Sequence, residues 1–161
     1  IPLRLVGSEM CIRDSFKIEK YSVISRLLEG EFLDYKAAIP AQFTTEVTVN
    51  TRNLINSVER VSLLITDRLK SPVRCIFSED GEIKISCVTS IGKANDELSA
   101  QITGPEVEIG FNNRYLLDAL RNADTDEVKV QLTGPVSPMK IVPTQGDSFL
   151  FLVLPVRLKQ E

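Results

Sequence analysis

The side chains that most often carry enzyme chemistry are scarce in this 161-residue chain, which contains no histidine. The missing imidazole excludes Ser-His and Cys-His nucleophile pairs, histidine general bases and histidine-ligated zinc. Carboxylate, lysine and tyrosine catalysis stays open, but no acidic pair stands in an apolar context that would raise its pKa. The composition therefore favours a binding protein and implies no cofactor.

Candidate metal ligands have unsuitable spacing. Cys75 and Cys87 lie diagonally on one face of a predicted hairpin without a CxxC motif, which favours buried structural thiols over a ligand pair. Asp124, Asp126 and Glu127 lie in a predicted turn that lacks the ligand spacing of a calcium loop. Glycine-rich phosphate-binding motifs are also missing. The sequence therefore predicts neither a metal site nor a nucleotide site.

Arginines on two predicted helices are more informative. The chain has 19 Lys+Arg against 22 Asp+Glu, a formal charge of −3, so any nucleic-acid contact must be local. A helical projection places four arginines away from the core, beside the acids Glu59 and Asp118: Arg52, Arg60, Arg114 and Arg121. These are either solvated helix faces or a weakly positive surface that contacts phosphates without reading base sequence.

A repeated order of elements would position these side chains. In the first half, the patterns predict a strand at 46–50, a helix at 51–66 and strands at 73–78, 82–88 and 96–103. In the second half, they predict a strand at 106–111, a helix that ends near Ala123 and strands at 127–133, 138–143 and 147–156. This βαβββ order, present twice, predicts an α+β fold with two four-stranded antiparallel sheets and two helices on one face.

Local signals refine these elements. Asn50 or Thr51 caps the first helix, whose buried stripe repeats at helical spacing: Leu54, Val58, Val61 and Ile65. Asn112 or Asn113 caps the second helix, whose buried stripe is Leu116, Ala119, Leu120 and Ala123. In the hairpin, a three-residue loop with a left-handed Gly81 pairs Phe77 with Ile83 and keeps the apolar residues on one face.

Two apolar features do not fit a closed core. Leu63 projects opposite the buried stripe of its helix, beside Leu64, and is either an ordinary exposed leucine or a subunit contact. The run 149–154 predicts a strand covered on both faces, and Pro155 should end its ladder pairing. Leu158 and its neighbours would then dock on their own domain or line a groove for another chain.

The first fifteen residues do not follow the pattern of the rest of the chain. Residues 1–15 fit no period and contain VGSEMCIRDS, which resembles a translated sequencing-adapter artefact. We favour that origin over a natural disordered N terminus and exclude the segment, with Cys11, from the fold. The chain has neither a membrane-length apolar run nor a cleavable leader, which predicts a cytoplasmic protein.

Four segments resemble the bacterial beta sliding clamps of DNA polymerase III: SRLLEGEFLDYKAAIP (25–40), NLINSVERVSLL (53–64), EVEIGFNNRYLLDAL (106–120) and LVLPVRL (152–158). The resemblance covers about residues 16–158. It implies a clamp fragment, with 16–35 ending the middle domain and 36–158 forming the third. It also implies a non-catalytic processivity factor that closes, when full length, into a homodimeric ring around duplex DNA without sequence preference.

The resemblance further implies a groove for peptides from the replicative polymerase catalytic subunit, the clamp loader and other proteins with clamp-binding motifs. The matching positions are Leu33, Ala37, Ala38, Asn112, Tyr115, Val136, Pro138, Leu152, Leu154, Pro155, Val156, Arg157 and Leu158. The implied dimer contacts are Leu63, Leu64, Asp96 and Glu97, and the four helix arginines would face DNA. The alternative is a carboxylate- or lysine-dependent α+β enzyme of unknown reaction.

Overall fold

The computed structural model describes residues 13–26, 30, 34–66 and 71–158, which divide between two compact units at residues 34 and 35. In the first unit, strands β1 (Arg13–Ile18) and β2 (Tyr21–Arg26) form an antiparallel hairpin. Three residues assigned to the leader therefore belong to β1: Arg13, Asp14 and Ser15. These three residues are all polar, so they lack the alternation of apolar and polar side chains that predicts a strand. The remaining leader residues, 1–12 with Cys11, lie outside the described residues, so a foreign origin stays a prediction.

The second unit holds the repeated elements. Its first half, which follows the short helix α1 (Tyr35–Ala38), contains β3 (Thr45–Asn50), α2 (Thr51–Ser62), β4 (Val73–Phe77), β5 (Glu82–Thr89), β6 (Gly92–Ser99) and β7 (Gln101–Thr103). Its second half contains β8 (Val107–Phe111), α3 (Asn113–Arg121), β9 (Glu127–Leu132), β10 (Met139–Pro143), β11 (Phe151–Val153) and β12 (Pro155–Val156).

The two sheets of this unit are related by an internal repeat. One has the strand order β11-β10-β9-β3-β7 and the other β12-β8-β4-β5-β6. If β3 is matched with β8, β4 with β9, and so on to β7 with β12, the strand order of one sheet becomes that of the other, read in the opposite direction. The predicted α+β class and the predicted repeat are therefore confirmed.

The strand count differs from the prediction, because two predicted strands each divide between sheets. The segment 96–103 breaks at Ala100, so β6 pairs with β5 while β7 crosses to pair with β3. The segment 147–156 breaks at Leu154, so β11 pairs with β10 while β12 crosses to β8. Each sheet consequently has five strands instead of four. Alternation shows an extended chain, but it does not reveal a change of pairing partner at a corner.

The helices begin where the sequence placed them and end slightly earlier. Asn50 caps α2, with its side chain accepting a hydrogen bond from the Asn53 N–H at 3.0 Å. The helix stops at Ser62, short of residue 66, where the N–H groups of Leu63 and Ile65 bond to carbonyls three residues back and tighten the last turn. Asn112 caps α3, which ends at Arg121, and α3 packs beside α2.

The predicted hairpin register is confirmed. Phe77 pairs with Ile83 and Cys75 with Ile85, while Gly81 takes a φ of +85° in the loop. Both free thiols of this sheet are buried, as the sequence predicted: Cys75 and Cys87. Burial raises the pKa of Cys75 to about 12, so this thiol stays protonated and unreactive. The described residues contain no metal-ligating cluster and no helix that could cross a membrane.

Candidate partner groove and helix surface

An apolar groove of about 520 Å³ opens between α3 and the C-terminal strands. Its lining residues are Asn112, Tyr115, Ala119, Leu150, Phe151, Leu152, Val153, Leu154, Pro155 and Val156. Three side chains at its rim are strongly exposed: Tyr115 at 65%, Leu154 at 64% and Leu150 at 44%. Large apolar side chains at this exposure, grouped around a concave surface, are typical of a binding site.

Helix α3 supplies one wall of the groove. The Asn112 side chain accepts a hydrogen bond from the Arg114 N–H at 3.0 Å, and this cap fixes the first helical turn. Tyr115 and Ala119 are four residues apart, so both lie on the helix face toward the groove. The next face carries Leu116 and Leu120 into the core, which holds the helix rigidly.

The opposite wall is the run that the sequence predicted as a strand covered on both faces. That prediction is wrong, because β11 has three residues and leaves Leu150 and Leu154 exposed. Phe149 and Phe151 stack with ring centroids 5.0 Å apart and pack against the core. The continuous apolar run therefore has two functions, since one part completes the core and another lines the groove.

Pro155 does not release the chain from the sheet, contrary to the prediction. It pairs with Phe111 in β12, and Val156 pairs with Gly110. The position is tolerated because β12 is an edge strand, where a missing N–H need not interrupt a ladder. The tail after Pro155 is thus anchored to β8 through at least Val156.

The structure brings six of the predicted groove residues together: Asn112, Tyr115, Leu152, Leu154, Pro155 and Val156. Four other described candidates are not in the lining of this cavity: Val136, Pro138, Arg157 and Leu158. Ala37 and Ala38 lie exposed in α1, and Leu33 lies outside the described residues. Val136 is 70% exposed, whereas Leu158 packs onto β8 beside Gly110.

Sequence reasoning missed four lining residues: Ala119, Leu150, Phe151 and Val153. Three of them belong to the apolar run already noted, so the run itself was the available signal. Ala119 had been placed on the buried stripe of α3, yet it is half-buried and reaches the groove edge.

Two of the four helix arginines, Arg60 and Arg121, form ion pairs that offset their charge. The Arg60 Nε donates to the Asp96 carboxylate at 2.9 Å, and Arg121 pairs with Glu59 at 2.6 Å across the two helices. Arg52 is exposed and has no ion-pair partner among the described residues, while Arg114 is exposed on α3. The surface is therefore more nearly neutral than the arginine count suggests.

The end of α2 meets the edge strand β6. Leu63 is 81% exposed and Leu64 lies against the β5–β6 turn at Gly92. Burial raises the pKa of Asp96, but the nearby Ser57 hydroxyl and the hydrogen-bonded, positively charged Arg60 side chain outweigh that effect, so the pKa is lowered overall. Glu97 is exposed on the same strand. Both acidic residues therefore lie in β6, at the edge of its sheet.

Residues 36–157 match the family described as DNA polymerase III beta subunit, C-terminal domain. The fold and the match together show that the chain belongs to this family. It is 34% identical over 145 residues to a beta sliding clamp from Streptococcus pneumoniae serotype 4, an alignment covering 88% of this chain and 38% of that protein. The chain therefore spans well under half the length of this relative.

Solved structures agree with this assignment. A DNA polymerase sliding clamp from Bacillus subtilis superposes with a TM-score of 0.85 at 32% identity, covering 93% of this chain and 40% of that one. A sliding clamp from Bartonella birtlesii, bound to griselimycin, gives a TM-score of 0.84 at 31% identity, covering 91% and 39%. The predicted family and its clamp fold are confirmed.

Proposed function

We propose that this chain supplies the C-terminal domain of a sliding clamp, a non-catalytic processivity factor of the replicative DNA polymerase. The family match over residues 36–157 carries the proposal. The pKa values of Glu46 and Asp96 are lowered by their hydrogen-bonded partners, whereas a general acid needs a raised pKa. The enzyme alternative therefore receives no support from these groups.

In this proposal the groove binds short extended peptides with apolar anchors. The replicative polymerase catalytic subunit, the clamp loader and other proteins with clamp-binding motifs would present them. Support comes from the exposed rim of Tyr115, Leu150 and Leu154, whose burial by a peptide would remove apolar surface from water. Alternate side chains of an extended peptide point to one face, so leucines two positions apart can enter the groove together.

The same proposal places duplex DNA along α2 and α3 and a second subunit at β6. Weak, sequence-independent phosphate contacts suit a protein that must slide, and the partly neutralised arginine surface supports this role. Leu63 and Leu64, with Asp96 and Glu97, would form the apolar and acidic parts of a subunit contact in a homodimeric ring. Leu33, Ala37 and Ala38 would extend the peptide groove.

A peptide titration tests the groove. The probe is a fluorescent pentapeptide, Ser-Leu-Ser-Leu-Ser, with an all-serine version as its control. Binding to the wild-type chain should weaken about tenfold or more in Leu154→Ser, which removes an exposed groove anchor. Leu63→Ser, a matched change at an exposed position immediately after α2, should leave the affinity unchanged. Equal binding of both peptides, or equal effects of both substitutions, would contradict a groove built around Leu154.

A further inference from the structure

Gly110 occupies a position where backbone conformation does not require glycine. It is the fourth of the five residues of β8 and is not among the glycines with positive φ. The helix caps Asn50 and Asn112 align the two halves, and in this alignment Thr48 of β3 is the counterpart of Gly110. A side chain is thus accepted at the equivalent point of the repeat, so another constraint must act at Gly110.

That constraint is the C-terminal tail. A Cβ atom placed on Gly110 would lie 2.6 Å from Cδ2 of Leu158 and 2.7 Å from the carbonyl oxygen of Val156. Real Cβ atoms do not approach other atoms so closely, so any side chain here would displace the tail. Leu158 is half-buried, and its isobutyl group occupies the space that the missing side chain leaves.

The tail needs this contact because its strand is short. Strand β12 has two residues, and one of them, Pro155, has no N–H to donate to β8. Its counterpart β7 has three residues, all of which can donate. Backbone pairing alone therefore holds β12 weakly, while Val156 of this strand and the preceding Leu154 line the groove.

We propose that Gly110 and Leu158 form a lock that positions β12, so that Leu158 controls peptide binding from outside the groove. Leu158 is then a positioning residue and not an anchor for the peptide. The effect on binding rests on the proposed peptide function, whereas the effect on the tail does not. Since Leu158 covers the outer face of β8, it can be changed without entering the core.

Two substitutions and two matched controls test the lock in the full 161-residue chain. Leu158→Ala removes the apolar contact, and Gly110→Ala introduces the clash. Leu63→Ala is the leucine control, and Gly134→Ala is the glycine control, because a Cβ on Gly134 meets no atom within 4 Å. Leu158→Met should preserve the contact, since methionine fills similar volume and adapts its shape.

Amide hydrogen exchange of the tail is the first measurement. Exchange in residues 154–158 should rise about tenfold in Leu158→Ala and Gly110→Ala, stay near wild type in Leu158→Met and both controls, and remain unchanged in β9 and β10. The second measurement is affinity for the two-leucine probe, which should fall about fivefold to tenfold in the same two variants while the Tm of the domain stays within a few degrees.

The outcomes separate the two proposals. Unchanged exchange in Leu158→Ala overturns the lock, and raised exchange with unchanged affinity overturns its control of binding. If Gly110→Ala fails to fold, Leu158→Ala and its methionine counterpart still decide the question. A wild-type chain that does not bind the probe contradicts the proposed groove and the control of binding, while the exchange data still decide whether the lock exists.

Discussion

The two halves of the second unit follow one order of elements, yet their outer strands differ. In the first half, β6 pairs with all eight residues of β5. In the second half, β11 pairs with three residues of β10. The long strand carries charged residues along a sheet edge, which discourages unwanted pairing, and the short one leaves apolar residues exposed beside α3. The two halves thus share one core. The long outer strand β6 forms a charged sheet edge, whereas the short outer strand β11 leaves room for an apolar groove.

This difference shows how a duplicated fold acquires unlike surfaces. Inward-facing residues of both halves belong to the same core, so large changes there would destabilise the whole unit. The outer strands are free to differ because each contacts only one neighbour within its sheet. Substitutions in the shared core and at the surfaces that differ between the halves test this contrast.

Truncation of equivalent core residues should have the largest effect. Ile85 in β5 and Ile141 in β10 are both fully buried, and Ile85→Ala or Ile141→Ala should each lower the free energy of unfolding by about 2–5 kcal/mol. Denaturant unfolding followed by circular dichroism should retain one transition for the second unit in both variants. Two transitions, each sensitive to one substitution, would show that the halves fold separately.

The helix caps should have equal effects on stability and unequal effects on binding. Asn50→Ala and Asn112→Ala should each lower the free energy of unfolding by about 1 kcal/mol, because each leaves a helix N–H without its acceptor. Aspartate at either position should retain most of the capping. Only the change at Asn112, which lines the groove, should also weaken binding of the two-leucine probe. Equal loss of probe affinity in both variants would contradict the contrast between the halves.

The Asp96–Arg60 ion pair should make a smaller and pH-dependent contribution. The folded pKa of Asp96 is lowered, so its stabilisation is present above the ordinary value of 3.8 and is lost as the pH falls through the folded value. Asp96→Asn should lower the free energy of unfolding by about 0.5–1 kcal/mol at neutral pH, since Arg60 is 59% exposed. Urea titrations at several pH values should show this difference shrinking below about pH 4. A constant difference would argue against the ion pair, and Glu97→Gln is the charge-matched control.

DNA affinity should show the smallest effect. Arg52 has no ion pair with a described residue, whereas Arg60 is held by Asp96. Arg52→Ala should therefore lower the salt dependence of duplex binding. The slope of log affinity against log salt concentration should become about 0.9 less steep, because one phosphate contact is lost. Arg60→Ala should change the slope less. Fluorescence anisotropy of a labelled duplex at several salt concentrations measures both, and a reversed order would contradict the proposed helix surface.

Short-range pattern predicted much of the architecture. The register of the Gly81 hairpin followed from face parity, because a slip of one residue would place Phe77 on the solvent side. The helix starts followed from Asn50 and Asn112, whose side chains satisfy N–H groups within the next turn. Each of these choices depends on neighbours a few residues away, so the sequence contains the information directly.

Tertiary structure decided where the strands pair and which apolar residues remain uncovered. Ala100 and Leu154 look like ordinary members of extended segments, yet the chain passes from one sheet to the other at both positions. The sequence alone could not show that Pro155 pairs with Phe111 or that Leu158 lies on Gly110, because these contacts join residues more than forty positions apart. The sequence by itself determined the elements and their buried faces through local sterics and periodicity. The groove depends on which distant surfaces meet, and only packing of the complete domain decides that.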